Sequence, residues 1–415
     1  MKKNVLILML ILLSLSFIAC PVVDVVEDPE INNPGENDSD QDEFKQIVIG
    51  GDSIYVLKTD GSLWVNGYNN LGQLGLDDTQ IRSTPTKVLE NVKYVSAAVG
   101  HSMVIKDDNS LWASGDNSIG QFGNGTTTST LTYIKIRDNV KQVSCSDYHT
   151  LIIDSDDKLL TAGKNTHGQL GDNTTTNNSL FDFVDTDGKT VVDIDSEELT
   201  SLYLTSDNEL YGFGDNSYGQ LAQAKADNVE NRQLIPVLLA SNVIDFSVGT
   251  DHVMYVDTND VLWGVGRNEN GQIGESVNLD RDNYTPYNAM SNVKSVSAGY
   301  HYTMAIKNDD SLWAVGNDSY SKQGDGNSNE STNYSFYEVT DSGFIKLDSN
   351  NDVEEEYDFN GAKIIYTGNH NTIVKTVDDE VFIAGSNSYG QLGQSTTDDN
   401  PHGLWSKLEF NEVSL

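Results

Sequence analysis

Gly67-Tyr68-Asn69-Asn70-Leu71-Gly72-Gln73-Leu74-Gly75 decides the fold, because this stretch is repeated. The pattern Gly-x-Asn-x-x-Gly-Gln-Leu-Gly begins again at Gly115, Gly163, Gly214, Gly266, Gly316 and Gly385, in steps of 48, 48, 51, 52, 50 and 69 residues. A fixed period settles architecture before any local assignment. The third place is Asn69, Asn117, Asn165, Asn216, Asn268, Asp318 and Asn387, always Asn or Asp. Copy four ends in Ala222. Copy six reads Gly316-Asn317-Asp318-Ser319-Tyr320-Ser321-Lys322-Gln323-Gly324, losing the middle Gly and the Leu but keeping the frame.

Three residues before each first Gly stands a large apolar residue: Trp64, Trp112, Leu160, Tyr211, Trp263, Trp313 and Phe382. Upstream lies an alternating run such as Ser102-Met103-Val104-Ile105-Lys106, then an Asp/Asn turn, then Ser110-Leu111-Trp112-Ala113-Ser114. Alternation across a short Asx turn reads as a β-hairpin. A further strand, residues 92–98 in the second period, precedes the hairpin, and another follows the glycine motif, often opened by proline as at Pro85, Pro236, Pro286 and Pro401. Each period is therefore expected to be one four-stranded antiparallel sheet, and no stretch has convincing helical periodicity.

Such sheets bury their faces by stacking radially into a ring. The expected fold is all-β, a seven-bladed β-propeller of four-stranded antiparallel blades over residues 44–415, with an acidic insertion near 340–360 that accounts for the 69-residue step. An open solenoid is the alternative, but its terminal repeats would be polar caps, and the first and last copies here are as apolar as the rest. The glycines are expected to allow positive φ at the strand ends, the Asn or Asp to cap the loop, and the Leu to fill the layer between blades.

Gly-x-Asn-x-x-Gly-Gln-Leu-Gly preceded by Gly-x-x-His-(Ser/Thr) resembles the repeat of the regulator of chromosome condensation family, over nearly the whole mature chain. The resemblance implies the propeller. Cytoplasmic and nuclear members act on a small GTPase and on chromatin, roles that do not suit an exported acidic chain. Some secreted bacterial propellers with related repeats inhibit other proteins, notably β-lactamases, which implies that a rim of such a ring can grip a protein. A superfold hosts unrelated activities, so this remains analogy.

Export is read from the N-terminus. Lys2 and Lys3 precede an apolar run from Val5 to Ile18, ending in Phe17-Ile18-Ala19-Cys20. The run is a secretory signal too short for a membrane span. Its end resembles a lipobox, in which Cys20 carries the lipid and becomes the first mature residue; a plain cleaved signal is the alternative. Residues 1–19 are then a signal peptide and 20–43 a flexible tether. Nine carboxylates and no basic residue occupy 21–43, so the tether is solvated, about 25 Å as a coil and up to about 75 Å extended. Loss of Lys2 and Lys3 takes the net charge of −38 to −40. That excludes nucleic acid, whose phosphates require Lys and Arg, and adsorption to bare anionic lipid. The expected location is the bacterial cell envelope, extracytoplasmic, with membrane contact only through the lipid. With Cys20 acylated, Cys145 has no disulfide partner.

Catalytic and cofactor readings find little purchase. His101, His149 and His252 share one repeat position, where the other blades hold Ser53, Thr200, Tyr302 and Asn371. Residues repeated around a ring sit in separate blades and do not converge on one ion away from the shaft. A hydrogen bond within each blade is expected. The glycine motif lacks the helix of a dinucleotide loop. Asp348-Ser349-Asn350-Asn351-Asp352 begins like a calcium loop but has Val353 at the turn glycine and Phe359 at the bidentate Glu. No cofactor and no metal are expected.

Antiparallel order puts the glycine motifs and the connections after them, such as 124–130 and 172–179, on one face. The fifth motif place holds Leu71, Ile119, His167, Tyr218, Asn270, Tyr320 and Tyr389. His167, Tyr218, Tyr320 and Tyr389 are the candidate ligand-binding residues, for an unidentified protein or glycan, on a monomeric chain; packing of the loops is the competing role. The opposite face carries hairpin turns with Asp60, Asp107, Asp108, Asp156, Asp157, Asp207, Asp260, Asp309, Asp310, Asp378 and Asp379 and is expected to carry 340–360. Those carboxylates are either ordinary turn residues or a ring that attracts cations or a basic partner. The functional expectation is a membrane-anchored binding or scaffold protein. Its rivals are an inhibitor of a secreted enzyme and an extracytoplasmic enzyme with an asymmetric pocket at His167 or under 340–360.

Overall fold

The computed structural model describes residues 44–224, 231–275, 283–324, 332–340, 344–347, 353–356, 358–393 and 397–408. Cys20, the tether and the stretch 348–352 lie outside them.

Seven antiparallel sheets, each contiguous in sequence, form the blades of a propeller. Blade 1 runs from an inner strand, Phe44–Gly50, through Ser53–Lys58 and Leu63–Gly67 to an outer strand, Arg82–Leu89. The same order recurs from residues 92, 140, 191, 243, 293 and 362. Seven apolar clusters hold the blades together, and each straddles one seam between neighbours. The eighth motif residue, Leu74, Phe122, Leu170, Leu221, Ile273 or Leu392, is fully buried, contributing about 2 kcal/mol per side chain.

Among the described residues no blade is shared between the two ends of the ring. Blade 7 meets blade 1 face to face, with Ile364, Ile373 and Ile383 packed on Ile47, Ile54 and Val56. The Asn66 amide donates to the carbonyls of Gly390 and Gln391 at 3.2 and 2.9 Å. Packing and side-chain hydrogen bonds close the ring, and the open solenoid is excluded.

Inner strands of adjacent blades do not pair by backbone, so their edge N–H groups need other acceptors. Side chains provide them. Ser96 Oγ accepts the Cys145 amide, Asp195 Oδ2 that of Val248, Ser247 Oγ that of Ala298, and Ser297 Oγ that of Thr367.

The first motif glycine turns each third strand into its loop with φ of 99–116°. At Gly67 a Cβ would meet the Asp52 carbonyl oxygen at 2.2 Å, so the place is closed to other residues. Hairpin turns use Asp as tight-turn chemistry requires: Asp60, Asp108 and Asp309 each accept the amide two residues on, with Gly61, Asn109 and Asp310 at positive φ between.

Two expectations need correction. Pro85, Pro236 and Pro286 do not open the outer strands but lie inside them; an outer strand has one unpaired edge, where a missing N–H costs nothing. Nor does the insertion sit on the hairpin-turn face. Phe344–Leu347 and Val353–Glu356 form a hairpin whose first strand pairs, in parallel, with the outer strand of blade 7, Asp398–Lys407. Unpaired edge groups recruit strands, so the hairpin widens blade 7 into a six-stranded sheet.

Candidate binding face

The glycine-loop face is rigid because each loop is clamped from within. In all seven copies the third-place Oδ1 accepts the amide of the eighth residue, at 2.8–3.2 Å. Asp318 does this in blade 6 as well as Asn does elsewhere. The motif glutamine accepts, through Oε1, the amide of the fifth residue in six blades, at 2.8–3.1 Å. That bond aims the variable fifth side chain.

The histidines bridge blades, which corrects the expectation that their bonds stay inside each blade; His149 alone of the three also makes a bond within its own, Nδ1 to Ser146 Oγ at 2.6 Å. His101 Nε2 lies 3.2 Å from Thr150 Oγ1, His149 Nε2 2.7 Å from Ser201 Oγ, and His252 Nε2 3.0 Å from Thr303 Oγ1, each hydroxyl belonging to the next blade. Each hydroxyl donates to a motif-glutamine carbonyl, Gln121, Gln169 or Gln272, at 2.8 Å. The hydroxyl proton is thus committed, so the imidazole must donate through Nε2–H. Burial pushes His101 down to about 4 and His149 and His252 to about 3, so all three are neutral seam pins. Blade 6 uses Tyr302 instead, its hydroxyl donating to the Asn371 carbonyl at 2.9 Å.

The four candidate residues all lie on this face, one to a blade, and are not gathered into one cluster. Their partners are mostly on the following blade. Tyr218 lies beneath the Arg267 guanidinium at 4.9 Å. Tyr320 tilts against His370 at 4.4 Å, and Tyr389 meets Tyr68 edge-on at 4.9 Å. His167 Nδ1 contacts its neighbour Thr166 Oγ1 at 3.0 Å. Tyr320 is 44 % exposed, the other three about half-buried.

Motif reading missed the residues around the shaft. Tyr148, at 37 % exposure, and Tyr300, at 41 %, stand in the short loops between first and second strands. Two cavities follow the ring axis, one of about 50 Å³ at the mouth and one of about 140 Å³ below it. Glu197 lines both. Its place at the end of the inner strand is otherwise Gly50, Ala98, Ser146, Gly249, Gly299 or Gly368, so aligning the repeats would have singled it out. Burial and then the Asp147 carboxylate raise its pKa, and burial raises that of Asp147. Asp195 and Asp245 are pushed up by burial to about 6 and about 7. Among the described residues no group of His, Cys, Asp and Glu has the arrangement to hold a metal.

Lys322 replaces the glutamine in blade 6. Its Nζ donates to the Tyr300 and Asn369 carbonyls at 2.9 and 3.3 Å and lies 4.6 Å from the Tyr302 ring. Burial lowers it to about 7.

Comparison with known proteins follows the same lines. The family model described as RCC1-like domain matches residues 23–290. Among solved structures, Prp20p of Saccharomyces cerevisiae, studied for its binding to Gsp1p and histones, superposes with a TM-score of 0.70 at 14 % identity, over 90 % of this chain and 88 % of its own. Yeast RCC1 (Prp20) bound to Kap60 gives 0.67 at 14 %, over 94 % and 92 %. Human WBSCR16 gives 0.67 at 18 %, over 80 % and 86 %. At such identities the likeness is one of fold.

Proposed function

The chain belongs to the RCC1-like domain family, and from that premise we propose that it is a binding scaffold whose glycine-loop face grips another protein. The observation that carries the reading is the contrast on that face between seven clamped loops and the unlike side chains they present. A rigid frame with variable tips is how loops serve recognition. The cavities support the same reading, since about 140 Å³ is well below the roughly 300–1,000 Å³ of small-molecule sites. Structural relatives that bind proteins, such as Prp20p with Gsp1p and histones, lend the analogy of fold. A glycan remains the alternative ligand on the same aromatic side chains.

We place the chain outside the cytoplasm on a lipid at Cys20, on the strength of Lys2, Lys3, the apolar run and the Ala19-Cys20 junction. Cys20→Ser is expected to leave an uncleaved or soluble form, checked by fractionation; a substituted protein still on membranes after a salt wash overturns the anchor.

Face and partner are tested together by cross-linking in envelope extract, followed by binding measurements on variants. Tyr300→Ala and Tyr320→Ala, whose rings are more exposed, should each weaken capture by about 1–3 kcal/mol with only a small fall in melting temperature from the lost ring contacts to His301 and His370. Tyr218→Ala and Tyr389→Ala should weaken capture and also lower the melting temperature, because Arg267 and Tyr68 hold those rings. If none of the four matters while Asp107→Asn, Asp156→Asn and Asp309→Asn together abolish binding, the hairpin-turn face is the site.

A further inference from the structure

The shaft mouth breaks the symmetry of the ring. Where every other inner strand ends in Gly, Ala or Ser, that of blade 4 ends in a long side chain, Glu197. The place is tight: a Cβ at Gly299 would stand 2.8 Å from the Gly368 carbonyl oxygen. Glu197 lines both the mouth and the chamber below it, so it stands where the two meet. Asp147, from blade 3, lines the same mouth. Its Oδ1 accepts the Val99 amide at 3.1 Å. Among the described residues no donor reaches its second oxygen or the Glu197 carboxyl.

An unmet acceptor of a different kind borders the same opening. His101 is fully buried and its Nε2–H is committed to Thr150, which leaves Nδ1 a bare acceptor without a partner. In blade 3 the matching Nδ1 of His149 takes the Ser146 hydroxyl at 2.6 Å. Ala98 holds the place of Ser146 in blade 2 and lines the mouth, so the His101 acceptor is turned toward the opening past a methyl group that offers it no proton. Blade 5 repeats the direction: a Cβ at Gly249 would lie 2.6 Å from His252 Nδ1, which also lacks a partner. Buried acceptors without donors are costly. Nor does a cation answer the carboxyls. Burial and the carboxylates of Asp147, Glu198 and Asp195 all raise the Glu197 pKa, with no opposing charge. Two lysines of the surrounding loops are committed elsewhere, Lys164 over the Tyr148 ring at 4.2 Å and Lys322 to the Tyr300 and Asn369 carbonyls.

An opening rich in acceptors and lined by uncompensated carboxyls suits a ligand that brings N–H groups and positive charge together. Spaces of about 50 and 140 Å³ admit one long side chain and fall short of a drug-sized molecule. No group of His, Cys, Asp and Glu among the described residues is arranged to hold a metal instead. We propose that the shaft mouth is a subsite of the glycine-loop face that takes a lysine side chain projecting from the bound protein, with Glu197 and Asp147 accepting from its ammonium group. The proposal rests on that face being the one that grips, and it names the chemistry of the central anchor, where a few buried side chains carry most of an affinity.

The test titrates the full-length chain with n-butylamine, a lysine side chain without its backbone, and with 1-butanol as the neutral counterpart, read by amide chemical shifts. Butylamine should bind at least about tenfold tighter than butanol and should move the amides of Glu197, Glu198 and Gly299. Glu197→Gln keeps the shape and removes the charge, so it should erase most of that margin. Its melting temperature should not fall, since the Glu197 carboxyl has no hydrogen bond to lose. Asp207→Asn, at an exposed hairpin turn, should leave the margin intact. Equal binding of amine and alcohol overturns the proposal, as does a margin that survives Glu197→Gln or falls equally in Asp207→Asn. The same shifts produced by calcium chloride alone would assign the mouth to a metal ion and also overturn it. In a captured partner one lysine should be shielded from acetylation by the parent chain and not by Glu197→Gln; a partner with no such lysine removes the mouth from capture. Tyr320→Ala, away from the mouth, decides separately whether the face binds protein, so either reading can fail without the other.

Discussion

At the scale of single residues, the repeat is conservative where a side chain completes a loop and free where it faces outward. Asn117 Oδ1 accepts the buried Phe122 amide at 2.9 Å, so Asn117→Ala leaves a buried donor unsatisfied and should cost about 1–3 kcal/mol by denaturant unfolding. Asn117→Asp should cost less, because Asp318 performs the same task in blade 6. Titration of buried groups gives a pH dependence of defined sign. Asp245 rises to about 7 in the fold from roughly 4 in the unfolded chain. The native state therefore binds an extra proton between those values, and stability falls as pH climbs through 7. His149 moves the other way, from about 6.5 down to about 3, so stability is lost as pH falls below 6.5. Asp245→Asn should therefore lower the melting temperature more at pH 6 than at pH 8 relative to the parent, because only the parent gains from the Asp245 proton, whereas the buried histidines and Lys322 act alike in both proteins. A melting curve as steep with pH in the variant as in the parent would contradict the role given to Asp245.

At the scale of elements, a single four-stranded blade is specified locally while its neighbours are specified by residues the local pattern does not explain. The alternating runs, the Asp turns and the glycine ends fix four strands and their order without reference to the rest of the chain. The inter-blade histidine bridge was misread because a hydrogen bond between His149 and Ser201, 52 residues apart, leaves no local signature. The hairpin of 344–356 was misplaced for the same reason: nothing in an acidic insertion says which edge will accept it. Its removal, with 341–357 replaced by a short polar linker, should uncover the last strand. Amide exchange at 401–407 should then accelerate while blades 1 to 5 keep their protection; unchanged protection there would mean the added strand contributes nothing to the edge.

For the whole molecule, closure without a shared blade makes the last seam as dependent on side-chain packing as the other six. Deleting residues 361–415 uncovers two apolar faces at once, those of Ile47, Ile54 and Val56 on one side and of Met304, Ile306 and Leu312 on the other. Aggregation is the expected outcome, checked by light scattering; a truncated monomer with one sharp melting transition would show that the ring does not act as a unit. The sequence alone determined the class, the count of blades, the strand order, the capped glycine loops and the face on which the fifth-place side chains stand, because each follows from short-range spacing or from repetition. Only the tertiary structure decided how the ring closes, which blade each histidine serves, where the insertion lies and which carboxylates line the shaft. Those depend on contacts between residues about fifty or more positions apart, where a side chain's surroundings are set by a neighbouring blade and leave no mark in its own.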